Sequence, residues 1–191
     1  MKLKSLILEN RSCRRFHQEK SISKATLVDL IDLARLSASG ANLQPLKFII
    51  SYTPDMNKKI FPALAWAGYL EEWAGPKEGE KPSAYIIILG DKTIKNSFGC
   101  DHGIAAQSIL LGAVEKGLGG CMMGSINRKD LKEALHIDSK FEILLVIALG
   151  KPAEEIKIET TKTDGDIKYW RDEQGVHHVP KRPLDEILLK I

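Results

Sequence analysis

The sequence predicts an α+β fold, and three observations carry that reading. Short, β-branched-rich and nearly continuous apolar runs at 48–52, 84–89 and 143–149 read as strands covered on both faces. Apolar residues recur at helical spacing in other segments, and the two kinds of segment do not follow a strict strand-helix alternation, which disfavours a doubly wound parallel sheet. At 191 residues with 43% hydrophobic content, the chain has the size and the apolar material for a single domain over 1–191.

Taken in order, residues 3–10 predict a short helix leading directly into the motif RSCRRF. From Ser23 to about Leu36, Leu27, Leu30, Ile31 and Ala34 share one face with Asp29 and Asp32 opposite, and Ser23 is the expected cap. The small-residue loop SASGANLQP then runs into the first strand. GPKEGEKP, residues 75–82, is a polar loop before the second strand. Residues 104–116 form a helix with few positions that welcome water, so it is either a core helix or a subunit-interface helix. Asn127 caps a further helix to about Leu135, with Asp130 at its positive end. Residues 167–171 and 175–179 flank the turn DEQG, and the tail KRPLDEILLKI is a terminal helix or an extended arm.

Composition narrows the function classes. A net charge of +3 from 28 basic and 25 acidic residues is too small and too evenly spread for nucleic acid to be the main partner. The first apolar run, Leu6 to Leu8, is too short for a signal-peptide core, and no stretch approaches the roughly 20 residues that span a bilayer. Three cysteines, Cys13, Cys100 and Cys121, are scattered without a C-x-x-C pair, so neither a disulfide framework nor a zinc site is indicated. The expectation is a cytoplasmic protein without membrane or nucleic-acid partners.

Glycine motifs exclude two nucleotide-binding classes. In GLGGCMMG, Met122 stands where a dinucleotide fingerprint requires its third glycine, and the cluster follows a helix rather than a strand. Ser125 and Ile126 replace the lysine and hydroxyl residue of a P-loop. His177 and His178 are adjacent in an expected strand and so face opposite ways, which excludes a shared metal centre from that pair alone. Cys121 has no histidine placed to activate it and reads as a buried structural thiol. RSCRRF, with Arg11, Arg14 and Arg15, suits bidentate contacts to phosphate or a carbonyl-rich heterocycle, although alone it reads better as a solvated basic surface. SASGANLQP offers close backbone approach and amide side chains to a flat ligand, or serves as an ordinary helix-to-strand connection.

In chain order, these pieces resemble the nitroreductase family of FMN-dependent oxidoreductases. RSCRRF is similar to that family's Arg-Ser-x-Arg-x-Phe signature and SASGANLQP to its proline-serine-x-x-Asn-x-Gln-Pro loop. GLGGCMMGSI with EILLVIALGKP is similar to its late glycine segment and closing strand, and VPKRPLDEI to the basic pair before its C-terminal arm. The resemblance is weakest at about 53–82 and 153–176, and Ala38 and Leu46 depart from the pattern.

The resemblance implies a nitroreductase-like fold, a central mixed sheet flanked by helices with the C-terminal arm exchanged in a homodimer, and FMN at the subunit interface. Arg11 and Ser12 are expected at the FMN phosphate and ribityl side, Arg14 at the pyrimidine edge, and Lys181 with Arg182 at the phosphate. Ala38, Ser39, Gly40 and Asn42 are expected to reach the same flavin from the partner, with Asp101 and Ile104 doing likewise. Met123, Gly124 and Ser125 offer backbone groups to the isoalloxazine ring. Trp66 and Tyr69, with Trp73, either shape a pocket for a planar acceptor or pack on one helical face in the core. The implied reaction takes electrons from NADH or NADPH and passes them to a small-molecule acceptor such as a nitroaromatic or quinone in a ping-pong cycle, with no protein acid or base nominated. The same fold acting on flavin, halogenated aromatics or peptide heterocycles, or a flavin-binding sensor or storage protein, is the alternative.

Overall fold

A computed structural model of the chain describes residues 2–161 and 165–189. Helices α1 (Leu3–Glu9) and α2 (Lys24–Leu36) precede strand β1 (Leu46–Ser51), α3 (Pro54–Ile60) and β2 (Ala84–Asp91). Next come α4 (Asp101–Glu115), β3 (Gly119–Met123), α5 (Arg128–Ala134) and β4 (Phe141–Gly150). The chain continues through β5 (Ile156–Thr160), β6 (Trp170–Arg171), β7 (His177–Lys181) and α6 (Leu184–Ile187).

The main sheet has the order β1-β2-β4-β3 with antiparallel pairing throughout, and a parallel bridge from Ser12 to Gly120 extends its β3 edge. β2 is buried along its whole length, as its continuous apolar run predicts. The period of two sends its side chains alternately into two cores. Ile86 and Ile88 pack with Ile147, Leu149, Leu27, Leu30, Ile109 and Leu110. Tyr85, Ile87 and Leu89 pack on the other side with Ile60, Leu64, Val146 and Leu131. Each such isoleucine or leucine contributes about 1.5–3 kcal/mol on burial, so the central strands hold the two layers together.

The helix signals are realised in side-chain bonds. The Ser23 hydroxyl accepts from Thr26 N at 3.0 Å, and Asn127 Oδ1 accepts from Asp130 N at 3.3 Å. The helix expected over 104–116 begins earlier, at Asp101, and ends at Glu115 with Lys116 as its C-cap; its Ala105, Ala106, Ile109 and Ala113 are core residues, while Ile104 is exposed. α3, with Pro54 in its first turn and Thr53 as cap, falls in a stretch without a sequence expectation, as does β5.

Within the glycine cluster, Gly119–Met123 is strand β3, and Gly119 and Gly120 lie where side chains do not fit: a Cβ on Gly120 would stand 2.6 Å from Leu110 Cδ2 and 2.7 Å from the Ala148 carbonyl oxygen. One of the two readings of the aromatic segment is excluded. Trp66, Tyr69 and Trp73 do not share a helical face, because residues 65–74 form successive turns closed by Leu70 N to Ala67 O and Trp73 N to Leu70 O, with Ala67 at φ 40°.

The small sheet β5-β7-β6 pairs β5 parallel and β6 antiparallel to β7, and the turn Asp172–Gly175 closes the expected hairpin. The tail forms the short α6, whose Leu184 and Ile187 are exposed together with Leu188 and Leu189, the last at 84%. No helix among the described residues is long and apolar enough to cross a membrane.

The contact at Gly120 gives a stability prediction. Gly120→Ala must displace backbone on β4 and is expected to cost about 1–3 kcal/mol in urea unfolding. An unchanged midpoint would show that β3 is not clamped between α4 and β4.

Candidate functional site

The motif RSCRRF runs as an extended segment along the β3 edge, so alternate residues face different surroundings. Cys13 N donates to the Gly120 carbonyl at 3.0 Å, and its side chain is buried, with burial pushing the thiol up. Cys121 is likewise buried and its thiol raised, as a structural cysteine should be. Arg15 is held by Glu80 through Nε at 3.0 Å and Nη2 at 2.7 Å, which makes it a structural arginine. The backbone N–H groups of Arg14 and Arg15 both donate to Oε1 of Glu154, whose side chain is wholly buried and whose Oε2 accepts from Arg171 Nη2 at 2.8 Å.

Ser12 and Arg14 face a cavity of about 330 Å³ bounded by the end of α1, α4, β3 and β7. Its cationic lining residues are Arg11, Arg14 and Lys181; among the described residues no aspartate or glutamate lines it. Arg14 is only 9% exposed. Its Nη1 donates to the Ser12 carbonyl at 3.1 Å and lies 3.3 Å from His177 Nε2, while its guanidinium carbon sits 4.8 Å over the Tyr169 ring. All three contacts are neutral, and the guanidinium meets no carboxylate among the described residues. Arg11 donates Nη2 to the Ile7 carbonyl at 2.8 Å, and its Nε is buried without a partner. A buried, uncancelled cation is costly unless something anionic completes it. The volume is within the range of small-molecule and cofactor sites.

His177 and His178 face opposite ways from β7, as alternation requires, and their chemistries are opposed. His177 is 1% exposed, and burial pushes its imidazole down to about 4. His178 places Nε2 2.9 Å from Asp172 Oδ2 and Nδ1 2.5 Å from Glu159 Oε1, with its ring stacked on Trp170 at 4.7 Å. Those two carboxylates, Asp172 foremost, hold the His178 imidazole above its ordinary value.

The expected site residues fall into separate groups within one chain. Arg11, Ser12, Arg14 and Lys181 share the cavity just described. Ala38 and Ser39 line another cavity of about 210 Å³ with Asp101, and the two cavities share no lining residue. Asp101 accepts from Ser39 Oγ at 2.7 Å and Gly40 N at 3.0 Å, which depresses its carboxyl and fixes the loop, where Ala41, Asn42 and Gln44 take positive φ. Ile104 stands exposed on α4. Met123 is buried at the end of β3; Gly124 and Ser125 follow it exposed, and the Gly124 carbonyl accepts from Arg128. Arg182 pairs with Glu186 on the surface and does not line the cavity with Lys181.

Trp66 packs on Phe61 with ring centroids 5.9 Å apart, and Tyr69 lies against Tyr169 at 4.9 Å; neither lines the Arg14 cavity. The aromatic residue that does so is Tyr169, which with Gln107 carries no mark in the sequence, while His177 is singled out there only as half of a pair that cannot share a metal. The alternation of β7 was the available signal for His177, but nothing local marks Tyr169 or Gln107.

Residues 7–151 match the model of the Nitroreductase family. The chain belongs to the nitroreductase family. It is 26% identical to an oxygen-insensitive NADPH nitroreductase of Helicobacter pylori (strain J99), over 88% of this chain and 96% of that protein. The crystal structure of a nitroreductase family protein from Streptococcus pneumoniae TIGR4 superposes with a TM-score of 0.73 over the whole of both chains at 17% identity. An FMN-dependent nitroreductase from Clostridium difficile R20291 superposes with a TM-score of 0.65 over 90% of this chain and 99% of that one, at 22% identity. The nitroreductase fold is thereby established. Glu154, Tyr169, Arg171 and His177, which surround Arg14, lie beyond the matched segment.

The raised value of His178 sets the sign of a pH effect. A basic group held above its unfolded value of 6.5 stabilises the fold fully below pH 6.5, and this is lost as pH rises through the folded value. His178→Gln is therefore expected to lower the melting temperature more below pH 6.5 than in alkaline solution above the folded value. Equal losses at both ends would remove the ion-paired histidine from the account.

Proposed function

We propose that this nitroreductase-family chain is an FMN-dependent NAD(P)H oxidoreductase that reduces a small organic acceptor, such as a nitroaromatic or quinone, as a single-domain homodimer. The observation that carries the reading is the cavity lined by Arg11, Arg14 and Lys181, with no carboxylate among its described lining residues. FMN brings a phosphate and a carbonyl-rich pyrimidine, and the residues fit both: fixed guanidinium groups with the buried, unpartnered Nε of Arg11 for anionic oxygens, and amide donors from Asn10 and Gln107. When bound, FMN would supply the chemistry, accepting a hydride from NADH or NADPH and passing electrons to the acceptor in ping-pong order.

The chain's own residues bind and orient. Arg11, Ser12 and Lys181 would hold the phosphate and ribityl side, with Arg182 joining them once free of Glu186. Arg14 would present positive charge to the pyrimidine edge, where charge develops. Met123, Gly124 and Ser125 would meet the ring through backbone groups, and Trp66 and Tyr69 would border the acceptor pocket. No side chain is assigned as acid or base.

Two features support the dimer. The loop of Ala38, Ser39, Gly40 and Asn42, braced by Asp101 and near Ile104, faces a different cavity from Arg14, so a second copy is the route by which it would complete the flavin site. Exposed Ile104, Met122, Leu184, Ile187 and Leu188 offer apolar surface for that copy and for an exchanged arm.

Purified protein is expected to show flavin absorption and to release FMN on heating; colourless protein that fails to bind added FMN would overturn the reading. Arg14→Met is expected to weaken FMN binding by about a hundredfold. The same variant should leave the ligand-free fold as stable or more so, because it removes a buried cation without an anionic partner. Sedimentation of the holoprotein should give twice the chain mass, and a monomer would remove the shared site.

A further inference from the structure

We infer that His177 is a positioning residue for Arg14: a neutral acceptor that fixes the guanidinium over the cavity without cancelling its charge. The inference rests on the flavin reading for the identity of the anion, but not for the pairing itself.

An arginine side chain only donates, so His177 Nε2, 3.3 Å from Arg14 Nη1, must present its lone pair. The ring proton then sits on Nδ1, which is buried and has no hydrogen-bond partner. That tautomer leaves an unsatisfied buried donor, a cost tolerated for the sake of the other ring nitrogen. The surroundings keep the ring neutral. It is 1% exposed, Arg14 and Arg171 are cations close by, and His178 is the adjacent residue on β7. The opposing charge is Glu154, whose Oε1 receives the N–H groups of Arg14 and Arg15 and whose Oε2 receives Arg171. Tyr169 covers the ring at 5.2 Å and the guanidinium at 4.8 Å, which shields the pair from water.

The residue type at position 177 decides what Arg14 can do. A carboxylate there would pair with the guanidinium and spend its charge inside the protein. A lysine would repel it, and an aliphatic residue would leave Nη1 with the Ser12 carbonyl alone. A neutral imidazole holds the nitrogen in place, and the positive charge stays available to whatever enters the cavity.

The test combines ring-nitrogen NMR of the ligand-free protein with FMN titration of three variants. At pH 7, ¹⁵N shifts should show Nε2 of His177 unprotonated and Nδ1 protonated; an imidazolium or the opposite tautomer would overturn the pairing. His177→Leu should bind FMN roughly tenfold more weakly, and His177→Gln, whose carbonyl reaches the place of Nε2, should recover most of that loss. His177→Glu, once shown by thermal unfolding to be folded, should bind FMN about a hundredfold more weakly and lower the flavin's reduction potential. A folded His177→Glu with the affinity and potential of the unaltered protein would sink the charge argument. If the unaltered protein binds no FMN, the flavin reading falls, while the ring-nitrogen shifts still decide whether His177 anchors Arg14.

Discussion

The carboxylate of Glu154 is the interaction on which the rest of the site depends. It is fully buried just after β4, and it gathers two backbone N–H groups from Arg14 and Arg15 together with the guanidinium of Arg171. A buried anion is costly unless it is paired and hydrogen-bonded, and here both oxygens are engaged. The consequence is geometric. The extended segment after α1 cannot slide along β3, because its amides are tied to the chain that leaves β4, and the Ser12–Gly120 bridge fixes it from the other side. Arg171 extends the tie to Trp73, over whose ring it lies at 4.3 Å.

The same arrangement settles the electrostatics. Because Glu154 is saturated by amides and Arg171, it does not pair with the Arg14 guanidinium, although it holds that residue's backbone. Arg15, the neighbour in sequence, goes to Glu80. Two consecutive arginines thus acquire opposite fates: one is neutralised and structural, the other buried and uncancelled. The histidines of β7 repeat the pattern, since His178 stands between two carboxylates that favour its cation while burial beside two arginines keeps His177 neutral. In both pairs, the period of two along an extended backbone is what separates the structural member from the one that faces the cavity.

Much of this was legible from local pattern. The apolar runs located β1, β2 and β4; the Ser23 and Asn127 caps located two helix starts; and the order of RSCRRF, SASGANLQP and the late glycine segment pointed to the family before any geometry was available. Where reading failed, the cause was tertiary. The lack of room for a side chain at Gly120 comes from Leu110 and the Ala148 carbonyl across the sheet, which no local pattern announces. Trp66, Tyr69 and Trp73 have helical spacing, yet Ala67 at positive φ breaks the periodicity, and no residue type announces an alanine there. Tyr169 and Glu154 meet Arg14 across more than a hundred residues, so no window of sequence could have joined them.

The division of labour along the chain follows from these contacts. Residues 7–151, the part that matches the family, supply Arg11 and Arg14 and the main sheet that carries them. The segment beyond supplies the conditions under which Arg14 acts: Glu154 holds its backbone, Tyr169 covers its face, and His177 accepts from its nitrogen. A cation fixed by neutral groups keeps a field that a salt bridge would have quenched, and the low dielectric around it strengthens that field. Substitutions in this segment can therefore tune the electrostatics of the cavity without touching the arginine itself.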